Sequence, residues 1–214
     1  MEKIDIPCNT SRSDVIVLRE SGVRSWEITV GAEASLSLLF VVLPGAEDAV
    51  KCSIALSFEG VGGSCRIGGL YIAAGSAKVD IDVNLVHNLP RCSSRQMFKG
   101  ILAGEARTRF YGLIKVPQDC IGTEAYQENH NLLLGDGCHA QSLPQLEIYA
   151  DDVKCSHGAT FSKIDPEALF YLRSRGIGLP EARRLQVMAF ALDVLEGAPQ
   201  DIVDEVLARL QDIA

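Results

Sequence analysis

The sequence predicts a mainly β chain that ends in a small α-helical subdomain. Three observations predict it. Apolar residues recur with period two from about residue 13 to residue 157. Short Gly/Pro/Asn/Asp clusters punctuate that pattern, among them Pro44–Asp48, Gly60–Gly63, Gly75-Ser76, Asn88–Pro90 and Gly135–Gly137. After Asp165-Pro166 the period changes to that of a helix.

The strands are read one by one. Trp26, Ile28 and Val30 alternate with Glu27 and Thr29. Cys52, Ile54, Leu56 and Phe58 alternate with Ser53, Ala55 and Ser57. Val79, Ile81, Val83 and Leu85 alternate with Asp80, Asp82 and Asn84, and His87 continues the apolar side as a core histidine. Phe110, Gly112, Ile114 and Val116 share one face, with Arg109, Tyr111 and Lys115 on the opposite, solvated one. Such strands fit a sandwich, a barrel or a β-solenoid, and the periodicity alone leaves all three open. No short repeat is evident, which argues against a regular hexapeptide solenoid.

The helical tail has clear punctuation. Asp165 is a good N-cap, Pro166 fits the first helical position, Glu167 complements the dipole, and Gly176 terminates the helix. A second helix is expected from near Pro180 to before Gly197, with Leu185, Met188, Leu192 and Leu195 on one face. A third runs from about Pro199 to Asp212 with Ile202, Val203, Val206, Leu207, Leu210 and Ile213 in one stripe. The expected division is residues 1–160 for the β domain and 161–214 for the helical subdomain.

Composition narrows the function. The chain has 214 residues, 47% hydrophobic and 22% charged, with a formal net charge of −8. It is therefore folded, and the broad phosphate contacts of a nucleic-acid binder are not expected. Seven dispersed cysteines, an odd number with no Cys-x-x-Cys, point to reduced thiols in a cytoplasmic protein. No signal-peptide pattern opens the sequence, and the apolar run Leu36–Leu43 is far short of a membrane span. Walker, dinucleotide-binding and Gly-x-Ser-x-Gly motifs are absent from the sequence, so any ATP use belongs to a partner.

Cys155 and His157 are the candidate chemistry. Two apart in a strand, they point to one face, and a thiolate and an imidazole are natural ligands for iron or zinc. Packing is the ordinary role of a lone cysteine. Cys138 and His139 form a second pair, and a zinc set with Cys155 and His157 is conceivable, although the spacing matches no usual finger. Asp151-Asp152 reads as an acidic turn, and His130 as a partly exposed polar residue.

The strings Leu146–Thr160, containing Lys154-Cys-Ser-His-Gly158, and Phe170-Tyr-Leu-Arg-Ser-Arg-Gly176 resemble the C-terminal core of the SufB/SufD family, scaffold subunits of the SUF machinery for iron–sulfur cluster assembly. The resemblance runs from about Gly100 to Leu195 and is closest to the SufD type, in a short form. It implies a right-handed parallel β-helix. It implies a role for His157, and with it Cys155, in assembling a transient iron–sulfur cluster. It implies a SufC-type ABC ATPase docked on the C-terminal helices, centred on Phe170, Leu185, Phe190 and Leu192. It further implies pairing through the β domains, as a homodimer or with a SufB-like subunit. Asn129 stands where B-type members carry a cysteine before the Leu-Leu-Ile-Gly-Asp stretch, here Leu132-Leu-Leu-Gly-Asp136. The expectation is a scaffold and not an enzyme. An assembly or regulatory factor without its own cluster site is the rival, and a β-solenoid carbohydrate-active enzyme the remote alternative. Cluster type, sulfur and electron donors, and any flavin are left open.

Overall fold

Successive strands alternate between two destinations. The computed structural model describes residues 1–213. One sheet, here sheet A, contains β1 (Glu2–Ile6), β3 (Gly22–Val30), β5 (Ala49–Phe58), β7 (Lys78–Val86), β9 (Arg107–Val116) and β11 (His139–Ile148), in that spatial order. Sheet B contains β2 (Ser11–Leu18), β4 (Ser35–Val42), β6 (Ser64–Ala73), β8 (Ser93–Leu102), β10 (Glu124–Leu133) and β12 (Lys154–Ser162). Each inner strand pairs in parallel with the strands one coil before and one coil after it in its own sheet, and β1, β2, β11 and β12 at the ends pair with one strand each. The chain is therefore a parallel β-solenoid, and the sandwich and barrel alternatives fall away. One coil takes 29 residues from Ser64 to Ser93 and 32 from Arg107 to His139.

The inward faces are those read from the alternation. Ile28, Val30, Ile54, Phe58, Val79, Val83, Phe110 and Ile114 are buried between the sheets. The backbone hydrogen-bond ladders set the coil spacing, and size complementarity fills the interior at that spacing. Gly69 lies in register with Phe98, and Gly100 with Tyr71. A Cβ on Gly69 would stand 2.2 Å from the Phe98 ring, and one on Gly100 2.2 Å from the Tyr71 ring. Each large ring fills the space that the neighbouring glycine leaves free.

A corner repeats through the solenoid. Asn9, Glu33, Gly62, Arg91, Gly122 and Asp152 each sit two residues before a strand of sheet B, and each has a positive φ, between 51° and 73°. The left-handed conformation turns the chain sharply there. It costs a residue with a Cβ about 1–2 kcal/mol relative to right-handed backbone. Arg91→Gly should therefore stabilise the fold by about 0.5–1 kcal/mol, after the entropy that glycine gains in the unfolded chain. Urea unfolding checks this. An unchanged midpoint would mean that the Arg91 stem resting on Gly122 contributes as much as the strain costs.

Three helices follow: α1 (Pro166–Ser174), α2 (Leu179–Leu192) and α3 (Gln200–Gln211). Asp165 caps α1 as expected, its Oδ1 accepting from Glu167 N at 2.9 Å, and Gly176 follows with φ +89°. The helices cover the C-terminal halves of the sheet B strands on their outer face. Val187 and Ala191 of α2, with Leu195, pack with Val206 and Leu210 of α3 on Val41, Leu70, Ile72 and Ile101. Lys99, buried in β8, fastens α2: its Nζ donates to Phe190 O at 3.2 Å, pairs with Asp193 and lies 4.6 Å from the Phe190 ring centre. Arg19 holds α3 through both oxygens of Glu205 at 2.7 and 2.6 Å. The buried face of α2 differs from the stripe read in the sequence, because Leu185 and Leu192 point outward. The helix buries Ala182, Val187 and Ala191 instead, and Val187 and Ala191 are the ones that meet the sheet B cluster.

Candidate functional site

β12 is the last strand of sheet B and has only β10 as a partner. Its alternation sends Cys155 and His157 to the inward side, beside Ala125 and Gln127 of β10. Val153 and Cys155 are half-buried against the core, while His157 is exposed because no further coil covers it. Burial raises the Cys155 thiol above its ordinary pKa, so it is a protonated thiol until something binds it. The expected juxtaposition is thus present: an imidazole and a thiol on one face at the open end of the solenoid.

The interior changes character toward that end. The column running through the coils to His157 reads Ile67, Gln96, Gln127, His157. Gln127 Nε2 donates to Gln96 Oε1 at 2.9 Å, while Gln96 Nε2 and Gln127 Oε1 have no protein partner although buried. Below His157 the solenoid is polar and holds spare hydrogen-bonding capacity. Sequence reasoning missed this, because glutamine at an inward position looks like a solvent-facing residue.

Asn129 is sealed inside and hydrogen-bonded. Its Nδ2 donates to Tyr71 Oη at 2.9 Å and to Phe98 O at 3.2 Å. Its Oδ1 accepts from Asn131 Nδ2 at 2.9 Å, and Tyr71 Oη donates to Asn131 Oδ1 at 2.7 Å, which closes a ring of three side chains. Burial drives the Tyr71 phenol well above the usual range, so it stays a donor. Asn129 is therefore a structural amide of the interior.

The remaining sequence candidates are dispersed. Cys138 is buried with its thiol donating to Gly135 O at 3.1 Å, while His139 is exposed at the start of β11. Among the described residues, no group of three or more His, Cys, Asp or Glu side chains is arranged to hold a metal ion. His130 is partly exposed, 2.8 Å from Thr160 Oγ1 and 3.1 Å from Glu128 Oε2. His87 is fully buried, 2.9 Å from Ser94 Oγ and stacked on Phe58. Arg109 pairs with Asp82 at 2.8 Å and Lys115 with Glu147 at 3.5 Å, a charge-paired solvated face. No cysteine is in a disulfide: five are buried, Cys155 is half-buried and Cys8 exposed.

Two apolar surfaces are uncovered. On the helices, Phe170 is 76% and Tyr171 58% exposed, and Leu179, Leu185 and Leu192 are exposed beside them in sequence. Phe190, the fourth expected docking residue, is half-buried under Lys99 instead. At the open end, Ile148 of β11, Tyr149 just after it and Phe161 of β12 are exposed alongside two unpaired strand edges, while Leu143 is exposed on the opposite face of β11. Isolated apolar residues need no explanation, but both groups exceed that. No helix among the described residues is long and apolar enough to cross a membrane.

Residues 21–190 match the family model described as SUF system FeS cluster assembly, SufBD core domain. The chain belongs to the SufB/SufD family. It is similar to the iron-sulfur cluster assembly protein SufD of Escherichia coli (strain K12), at 43% identity over 162 residues, which are 75% of this chain and 38% of that protein. An iron-sulfur cluster assembly SufBD family protein of Mycobacterium leprae (strain TN) is 35% identical over 174 residues, 78% of this chain and 44% of the relative. The chloroplastic protein ABCI7 of Arabidopsis thaliana is 35% identical over 130 residues, 60% of this chain and 27% of the relative. The chain thus spans less than half the length of these curated relatives. The SufB/SufD core also begins earlier than the motifs indicated, at residue 21 instead of about Gly100, so the early coils are part of it.

Proposed function

We propose that this chain is a scaffold or accessory subunit of a SUF-type iron–sulfur cluster assembly complex, working in the cytoplasm with a SufC-type ABC ATPase and having no catalytic activity of its own. The observation that carries the reading is the pair Cys155 and His157 on an uncovered edge strand at the end of the solenoid. A nascent cluster, as cargo, would meet the imidazole first, and the thiol after losing its proton. Two side chains do not complete a coordination shell. The other ligands would come from a second subunit, either another copy or a SufB-like chain.

The unpaired edges of β11 and β12, with Phe161 and Tyr149 exposed, support pairing at that end, since free strand edges take up partner strands. Phe170, Leu185 and Leu192 support ATPase docking on the helices, where an apolar patch would be buried. Phe190 acts in the same region by fixing α2 to Lys99. Neither nucleic acid nor membrane is expected as a partner.

A second reading rests on Asn129. Its amide completes an interior hydrogen-bond ring where B-type members place a thiol, which favours an assembly factor that pairs and docks without holding a cluster. One experiment separates the two. The chain is copurified with the ABC ATPase and then reconstituted anaerobically with iron and sulfide. The scaffold reading expects ATPase capture, lost in Phe170→Asp/Leu185→Asp, and a visible cluster absorbance lost in His157→Ala. Capture without an absorbance that depends on His157 supports the second reading, and absence of capture defeats both.

A further inference from the structure

We propose that the outer face of sheet B carries a second site, separate from His157, that binds the diphosphate group of a small molecule between Arg66 and Arg95. These arginines are adjacent in register on β6 and β8 and share the outward face with Ser37, Ser64, Ser93 and Tyr126. Together they line an open groove of about 720 Å³ over the N-terminal halves of the strands, where the helices leave the sheet uncovered.

The charges are the first argument. The other cations on the strands of this sheet are neutralised, Arg12 by Asp14, Lys99 by Asp193 and Lys154 by Glu124, and so is Arg19 just after β2, by Glu205. Arg66 and Arg95 have no carboxylate within 4 Å among the described residues, although neighbouring strands of one sheet lie only about 4.8 Å apart. Glu124, which also lines the groove, is held by Lys154 at 2.8 Å, and Glu196 lies in the adjoining depression beyond ion-pair reach of either guanidinium. In a chain of net charge −8 this is a local concentration of unneutralised positive charge.

Geometry is the second argument. The Arg95 guanidinium lies 5.3 Å from the Tyr126 ring centre, a cation–π contact that favours this placement before any ligand arrives. Two guanidinium forks on adjacent parallel strands can each take one phosphate of a diphosphate in two hydrogen bonds. Hydroxyls at Ser37, Ser64 and Ser93 supply further donors from the same face. Lys78 and Arg107 on sheet A are also adjacent cations in register and likewise unpaired among the described residues, since Asp80 is taken by Arg109, but only one of them carries a guanidinium fork and their row of Ala49, Lys78, Arg107 and His139 offers no serine donor. They serve as the internal control.

The test is calorimetric titration of the whole chain with inorganic pyrophosphate, and with sulfate, at low ionic strength. Saturable pyrophosphate binding is expected, weakened at least about tenfold in Arg66→Ala/Arg95→Ala and clearly weakened in Arg66→Lys/Arg95→Lys, which keeps the charge and loses the forks. All four substitutions are at exposed positions, and thermal melting confirms that the variants fold. Lys78→Ala/Arg107→Ala should bind as the parent does. The proposal is overturned by absence of saturation, by sulfate binding as tightly as pyrophosphate, or by an equal loss in the sheet A control.

Discussion

Gly100→Ala should destabilise the protein by about 3 kcal/mol, a fall in melting temperature of roughly 10 °C. The new Cβ would stand 2.2 Å from Tyr71 Cε2 and 2.6 Å from Asn131 Oδ1. Tyr71 is buried on all sides, so its ring cannot withdraw without breaking the hydrogen bonds to Asn129 and Asn131. The cost thus combines overpacking with polar groups left unpaired inside the solenoid. Calorimetric or chemical unfolding gives the number. Tyr71→Leu introduced with Gly100→Ala should recover part of the loss, because the smaller side chain vacates the space; additive losses would show that ring and glycine are not coupled. A single-variant loss below about 1 kcal/mol would mean that the core relaxes there more easily than its packing indicates.

Acidification should destabilise the fold through His87. Burial lowers its pKa from 6.5 to about 4. The unfolded chain takes up the proton as pH falls through 6.5, whereas the folded protein refuses it until about pH 4. Between those values the unfolded state binds more protons, so stability is full above pH 6.5 and declines as pH drops toward 4. The shift corresponds to about 3 kcal/mol at the acid end. His87→Gln keeps a hydrogen-bonding side chain toward Ser94 and removes the titration. The difference in unfolding free energy between pH 7 and pH 4.5 should therefore shrink by about 2–3 kcal/mol in the variant. Parallel pH profiles for parent and variant would assign the acid sensitivity to other groups.

Alternation made much of the interior legible in advance. Trp26, Ile28 and Val30, or Val79, Ile81 and Val83, can only bury one face of an extended strand, and they do. Helix punctuation was equally local: Asp165, Pro166 and Gly176 act on backbone groups within two residues of themselves. The pair Cys155 and His157 was legible for the same reason, since a spacing of two fixes a shared face in any strand.

Other features depend on residues far apart in sequence. The corner that turns each coil recurs at intervals of 24 to 31 residues, yet glycine fills it only at Gly62 and Gly122; Asn9, Glu33, Arg91 and Asp152 hide the repeat. Gln96, Gln127, Asn129 and Asn131 face inward although their polarity suggests solvent, because they find partners inside the solenoid, on their own strand or one or two coils away. Leu185 and Leu192 looked like the buried stripe of α2, but the face packed on sheet B is that of Val187 and Ala191. The unneutralised pair Arg66 and Arg95 exists only because parallel stacking sets residues 29 apart side by side. Sequence alone determined which residues alternate, where the helices start and stop, and that a thiol and an imidazole share a strand face. The tertiary structure decided which coil end stays open above His157, which polar groups are sealed inside, and which charges meet. Local backbone geometry is dictated by neighbours in the chain, whereas burial and charge pairing are set by partners that only the stacked coils bring within reach.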